Sequence, residues 1–253
     1  MGRTGATAIL ALAAALWAAA SVPAGAQRAG VQTAVDLELV LAADGSGSID
    51  DAELALQREG YAAALTHPDV LASIAAGALG RIAVAFVEWG GATSQHTIVD
   101  WRVIDGPAAA ESFAAALRER PRAAQGWNSI SGAIDHAARL IAEPGIEGTR
   151  KVIDVSGDGP HYGGRPVEQA RDEAVAAGIT INALVVAAPE GGGYPGPGGM
   201  ALSDHYALSV IGGFGAFVLV ADRGESFRRA ILAKLIREIA DARPTGAPQA
   251  AGR

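Results

Sequence analysis

The stretch Val35–Ala43 (VDLELVLAA) runs directly into Asp44-Gly45-Ser46-Gly47-Ser48, and this junction decides the fold. A nearly unbroken apolar run rich in Val and Leu is what a strand covered on both faces of a parallel sheet requires. The glycines beyond it loosen a turn at the strand's carboxyl end. They leave one carboxylate and two hydroxyls at i, i+2 and i+4. All three are hard oxygen donors, the kind a magnesium-like cation gathers in octahedral geometry.

Outward from this junction, strands and helices alternate. Asp50 and Glu53 form a capping-box pattern for a helix over Asp51–Thr66, which His67-Pro68 ends. Strands follow at Arg81–Trp89 and His96–Ile104, joined by the short turn Gly90–Ser94, so the two form an antiparallel hairpin at one edge. Helices are expected over Pro107–Arg120, Ser129–Glu143, Pro166–Ala177, Ser203–Ile211 and Gly224–Ala240, and strands over Lys151–Val155, Thr180–Ala188 and Ala216–Ala221. Gly191–Gly199 (GGGYPGPGG) is read as a mobile loop. The pattern predicts an α/β fold: a doubly wound, mostly parallel six-stranded sheet with one antiparallel edge strand, in the order 3-2-1-4-5-6.

In such a sheet the binding crevice lies at the carboxyl ends of the strands, where the strand order reverses. Here that point falls between the first and fourth strands. Asp44 follows the first, and Asp158, in Ser156-Gly157-Asp158-Gly159, follows the fourth. Topology thus brings together two carboxylates far apart in the chain. The loop Gly126–Ser131, which opens the helix before the fourth strand, adds the amide oxygen of Asn128 and the hydroxyl of Ser129.

Other readings of these residues fail on spacing. Gly45 and Gly47 begin a G-x-G-x-x-G pattern, but Asp50 stands at its third glycine and Asp44 would repel a phosphate. Ser46 lacks the glycines of a nucleophile elbow. The five histidines have no ligand-pair spacing and read as surface or structural residues; His161 follows Asp158 closely enough to line the rim of the crevice, and Trp127 is either a rim contact or a lid packed on the neighbouring loop. Glu88 and Trp89 end the second strand on the same side and are expected either to pack in the core or to support the loops.

The first 26 residues differ from the rest. Arg3, the apolar run Ala8–Ala20 and the A-x-A box Ala24-Gly25-Ala26 read as a secretory signal peptide, cleaved after Ala26. Residues 27–34 form a leader, 35–242 one domain, and 243–253 a disordered Pro/Gly/Ala-rich tail. The product would be periplasmic or secreted, with no membrane span after cleavage. The chain of 253 residues carries no cysteine, which excludes thiolate metal sites, catalytic thiols and lipoprotein acylation. A formal charge of −7 and the lack of any basic run argue against nucleic acid and anionic membranes as partners.

DxSxS at Asp44, Ser46 and Ser48, a polar residue at Asn128 before the middle helix, and the Asp158 loop together resemble the von Willebrand factor A domain. The likeness spans about residues 35–240. The stretches LQREGYAAAL, RIAVAFVEW, VIDVSGDGP and VIGGFGAFV are most similar to an exported bacterial group of A-domain-like proteins of unknown function. The resemblance implies that these three loops build a metal-ion-dependent adhesion site. Its ligands would be Asp44, Ser46, Ser48 and Asp158, with Asn128 or Ser129 in place of the family's usual Thr. It implies a divalent cation, Mg²⁺ first and Mn²⁺ or Ca²⁺ as substitutes. It also implies a protein partner whose acidic residue completes the metal shell, and no catalysis. Two rival expectations are a metal-dependent hydrolase of a phosphorylated or carboxylated small molecule, and a structural domain with a degenerate site.

Overall fold

The computed structural model describes residues 32–187, 194–222 and 225–240. The expected signal peptide, residues 27–31 of the leader, the tail from 243 on, and residues 191–193 of the glycine–proline loop lie outside them.

The long apolar run is not one strand. Asp36 turns its carboxylate onto the backbone N–H groups of Leu79 (2.9 and 3.0 Å) and Arg81 (3.3 Å), which kinks the chain there. Before the kink, β1 (Thr33–Val35) pairs with β5 (Ile146–Gly148) in a small parallel ribbon. After it, β2 (Glu38–Asp44) enters the main sheet and every residue of it is buried.

β2 pairs in parallel with β3 (Ile82–Trp89) on one side and with β6 (Lys151–Gly157) on the other. Beyond β3 lies β4 (Gln95–Ile104), antiparallel, at one edge. Beyond β6 come β7 (Ile179–Ala187) and β8 (Val218–Asp222), both parallel. The six-stranded order β4-β3-β2-β6-β7-β8 is the one the alternation predicts, with the expected antiparallel edge.

Side chains alternate across the strands, so each strand feeds two cores. Leu37, Leu39 and Leu41 pack under α1 (Asp51–Leu65), α2 (Pro68–Ala75), α3 (Pro107–Glu119) and α7 (Glu225–Ala240), with Tyr61, Phe113 and Phe227 filling that layer. Val40 and Ala42 face the opposite layer, built by α4 (Ile130–Ala142) and α5 (Val167–Ala176) with Trp89 and Tyr206.

The helix boundaries follow their caps. Asp50 and Glu53 close the expected capping box on α1. Pro68 does more than end that helix: it occupies the first turn of α2, where its missing N–H costs nothing, and His67 caps it by accepting from Asp69 N–H. The expected helix over Ser203–Ile211 is α6 (Leu202–His205) followed by a π-helical turn, Tyr206–Val210.

One close approach fixes the loop after β3. A side chain at Gly90 would drive into the backbone carbonyl of Gln125. Gly90→Ala is therefore expected to destabilise the fold by about 1–3 kcal/mol, measured by urea unfolding, because backbone rather than a flexible side chain must yield.

Candidate metal centre

Three loops meet at the carboxyl ends of β2, β3 and β6. Asp44, the last residue of β2, is 1% exposed and folds back so that its Oδ1 accepts the N–H of Ser46 at 2.7 Å. This turn directs the two serine hydroxyls together: Ser46 Oγ and Ser48 Oγ are 3.0 Å apart. Ser48 Oγ then donates to Asp158 Oδ1, again at 3.0 Å, which links the β2 loop to the β6 loop. The expected convergence of Asp44, Ser46, Ser48 and Asp158 is thus present.

Asn128 and Ser129, both buried, come from the third loop. Their backbones pin it in place: Gly47 N–H reaches Gly126 O, Ser129 N–H reaches Gly90 O, and Tyr162 N–H reaches Asn128 O, at 2.7 to 2.9 Å. The two side chains are used differently. Ser129 Oγ donates to Gly163 O (3.0 Å) and caps α4 by accepting from Gly132 N–H (3.3 Å). Asn128 packs its amide against Gly159, and its Oδ1 is buried with no hydrogen-bond partner.

Asp44 Oδ2 is likewise buried with no hydrogen-bond partner. Two acceptor oxygens without donors are costly in a folded interior unless something electropositive meets them. Burial pushes the Asp44 carboxyl up to about 7, and the nearby charge of Asp158 pushes the same way, against the Ser46 N–H. The donor set of two carboxylates, two hydroxyls and an amide therefore fits a hard divalent cation. Among the described residues no group of three or more His, Cys, Asp or Glu side chains is placed to hold a metal ion.

A second layer of residues, silent in the sequence pattern, holds the loops. Arg122 donates to Gly45 O (3.2 Å) and Ile49 O (2.5 Å), bracing the β2 loop from both ends. Glu88 pairs with buried Arg58 and accepts from Ala123 N–H at 3.1 Å, while Arg58 also donates to Pro121 O at 2.9 Å. Trp89 packs its indole on β2, with Nε1 donating to Ala42 O at 3.0 Å, and its backbone O accepts the N–H of Gly45 at 2.9 Å. Tyr206 donates to Gly159 O at 3.1 Å from beneath the β6 loop. His161 is turned aside, with its Nε2 3.0 Å from Arg165 O and its backbone N–H on His205. Trp127 stands at the rim, 57% exposed.

Residues 34–243 match the sequence profile of a family described as "Protein of unknown function (DUF1194)". The chain belongs to the DUF1194 family. No curated protein sequence matches it. Solved structures similar to this DUF1194 domain share its fold at low identity. Proximal thread matrix protein 1 from the mussel byssus is 16% identical with a TM-score of 0.56, over 83% of this chain and 49% of that one. The pilus adhesin SpaC from Lactobacillus rhamnosus GG is 15% identical with a TM-score of 0.56, over 83% and 31%. A von Willebrand factor type A protein from Catenulispora acidiphila is 12% identical with a TM-score of 0.51, over 83% and 43%. The chain spans less than half the length of each. The DUF1194 domain thus has the von Willebrand factor A fold, as its loop motifs imply.

Proposed function

We propose that this domain is an exported metal-dependent binding module. Asp44, Ser46, Ser48, Asn128 and Asp158 would hold a divalent cation, Mg²⁺ first, with Mn²⁺ or Ca²⁺ able to substitute. Ser129 serves beside them as the cap that fixes the Asn128 loop. The observation that carries the reading is the pair of buried, unpartnered oxygens, Asp44 Oδ2 and Asn128 Oδ1, on loops tied together by the backbone bond from Gly47 N–H to Gly126 O, with Ser46, Ser48 and Asp158 linked beside them. Mussel proximal thread matrix protein 1 has been solved with a zinc-occupied MIDAS motif, and it shares this fold at 16% identity, which supports the same use here.

A bound cation would supply an electrophilic centre for one more oxygen. Because three of its five proposed protein donors are neutral hydroxyl or amide oxygens, the ion would stay more electrophilic than in an all-carboxylate shell and receptive to a carboxylate from a protein partner. The chain's own residues do the rest. Arg122, Glu88 and Tyr206 hold the three loops fixed, so a ligand meets a preorganised surface. Exposed aromatic side chains at the rim favour an adhesive surface over the enclosed pocket of a hydrolase. The signal-peptide features of residues 1–26 support export to the periplasm or beyond. Among the described residues no helix is long and apolar enough to cross a membrane.

Immobilised chain incubated with envelope proteins in Mg²⁺ is expected to retain a partner that EDTA releases and that Asp44→Asn does not retain. An identical set of retained proteins after chelation would contradict the reading.

A further inference from the structure

Beside the candidate metal centre, three aromatic side chains stand in the open. Trp127 is 57% exposed, Tyr162 70% and Tyr194 46%. Exposed aromatics grouped in this way are uncommon on a solvated surface and mark contact sites. Trp127 is the hub. Its ring lies 6.4 Å from Tyr162 at an interplanar angle of 63°, and 5.8 Å from Tyr194 at 70°. The steeply inclined rings form walls, and with Pro160 and Asn128 they line a half-open surface cavity of about 480 Å³.

The cavity and the candidate metal centre share Asn128, whose unpartnered Oδ1 belongs to the site. Their walls are also the same loops. Trp127 immediately precedes Asn128, and Tyr162 follows Asp158 by one short turn. The backbone bond from Tyr162 N–H to Asn128 O, 2.7 Å, fastens the two loops together, so the aromatic walls are positioned before any ligand arrives.

Among the described residues no charged side chain lines the cavity. A Lys or Arg side chain entering it would shed water with no carboxylate among the described lining residues to receive it, and sugar hydroxyls would find few partners. An apolar side chain gains instead, because it covers ring surface now in water. We propose that this cavity receives a bulky apolar residue, aromatic or long aliphatic, next to the acidic residue that the metal centre takes. The recognised element is then a short peptide segment with an acid and a large apolar side chain adjacent in sequence. The inference rests on the metal-dependent reading above and adds the partner's second determinant.

The test uses the full chain and a bead-displayed library of peptides with a fixed Asp flanked by varied positions. Mg²⁺ binding is measured first by calorimetry on the same preparation. In Mg²⁺ the positions beside Asp are expected to enrich for Phe, Trp, Tyr, Leu or Met. Trp127→Ala and Tyr162→Ala, both at exposed positions, are expected to weaken the selected peptide about tenfold or more while leaving Mg²⁺ affinity unchanged. Enrichment of Lys or Arg beside Asp, or of no side-chain class, in a chain that binds Mg²⁺ would overturn the apolar cavity and leave the metal reading standing. Selected peptides that bind equally well to Trp127→Ala would do the same. A chain that takes up no divalent cation would overturn both.

Discussion

Asp44→Asn is expected to raise the melting temperature of the metal-free chain and to abolish the rise that Mg²⁺ gives the wild type. The two effects have one origin. Without a cation, Asp44 is fully buried and sits near Asp158, a like charge. Asparagine removes that charge and keeps the acceptor oxygen that binds Ser46 N–H. The metal-free fold therefore loses a repulsion and retains its turn. A cation, by contrast, needs the carboxylate. Mg²⁺ at a hundred times its dissociation constant stabilises a fold by about 2.7 kcal/mol, or roughly 5–10 °C in a domain of this size. Scanning calorimetry with Mg²⁺ or EDTA checks both signs. A mutant that gains as much from Mg²⁺ as the wild type would place the ion elsewhere.

The second large effect lies deep under the sheet. Lys234 on α7 is 1% exposed, with its Nζ 2.7 Å from Asp154 Oδ1 on β6 and 2.5 Å from Glu238 Oε1. The contact with Asp154 lies off the hydrogen-bonding direction, while Glu238 Oε1 accepts both Lys234 and Asn182. Lys234→Met removes the only positive partner these contacts give Asp154 and leaves two acids buried together. The expected cost is about 3–5 kcal/mol, or roughly 10 °C. Adding Asp154→Asn is expected to recover part of that loss, because it removes one of the stranded charges. A single mutant as stable as the wild type would contradict the account.

The same cluster sets a pH dependence. Burial raises the Asp154 carboxyl to about 7, with Glu238 adding to the shift and Lys234 opposing it. A carboxyl whose folded value lies above its unfolded value holds its proton more tightly in the fold. Its contribution to stability is complete below the unfolded value near 3.8, falls as pH rises through the interval up to about 7, and is lost above it. Asp154→Asn should therefore flatten the dependence of melting temperature on pH between those values. An unchanged slope would assign the dependence to other groups.

The sheet was legible because strand periodicity and the short turn after Trp89 leave few topologies, and these already place Asp44 beside Asp158. What escaped the pattern depends on tertiary partners. The kink at Asp36 arises from N–H groups on the far side of an intervening helix pair, so the apolar run around it reads as one strand. Pro68 carries the same local signal whether it stops a helix or starts one. Lys234 and Glu238 carry no local signal of burial, because nothing nearby in sequence reveals the acid on β6 that they meet. Asn128 looked like a departure from the family's usual Thr, and only its packing against Gly159 shows an oxygen left without a donor. Arg122, which braces the β2 loop through two carbonyls, has no local motif at all.

Calorimetric titration of the full chain with Mg²⁺ decides whether the three loops form a divalent-cation site. The account predicts a saturable isotherm with one ion per chain, absent in Asp44→Asn and preserved in Trp127→Ala. No saturable heat from the wild type with Mg²⁺, Mn²⁺ or Ca²⁺ would contradict it.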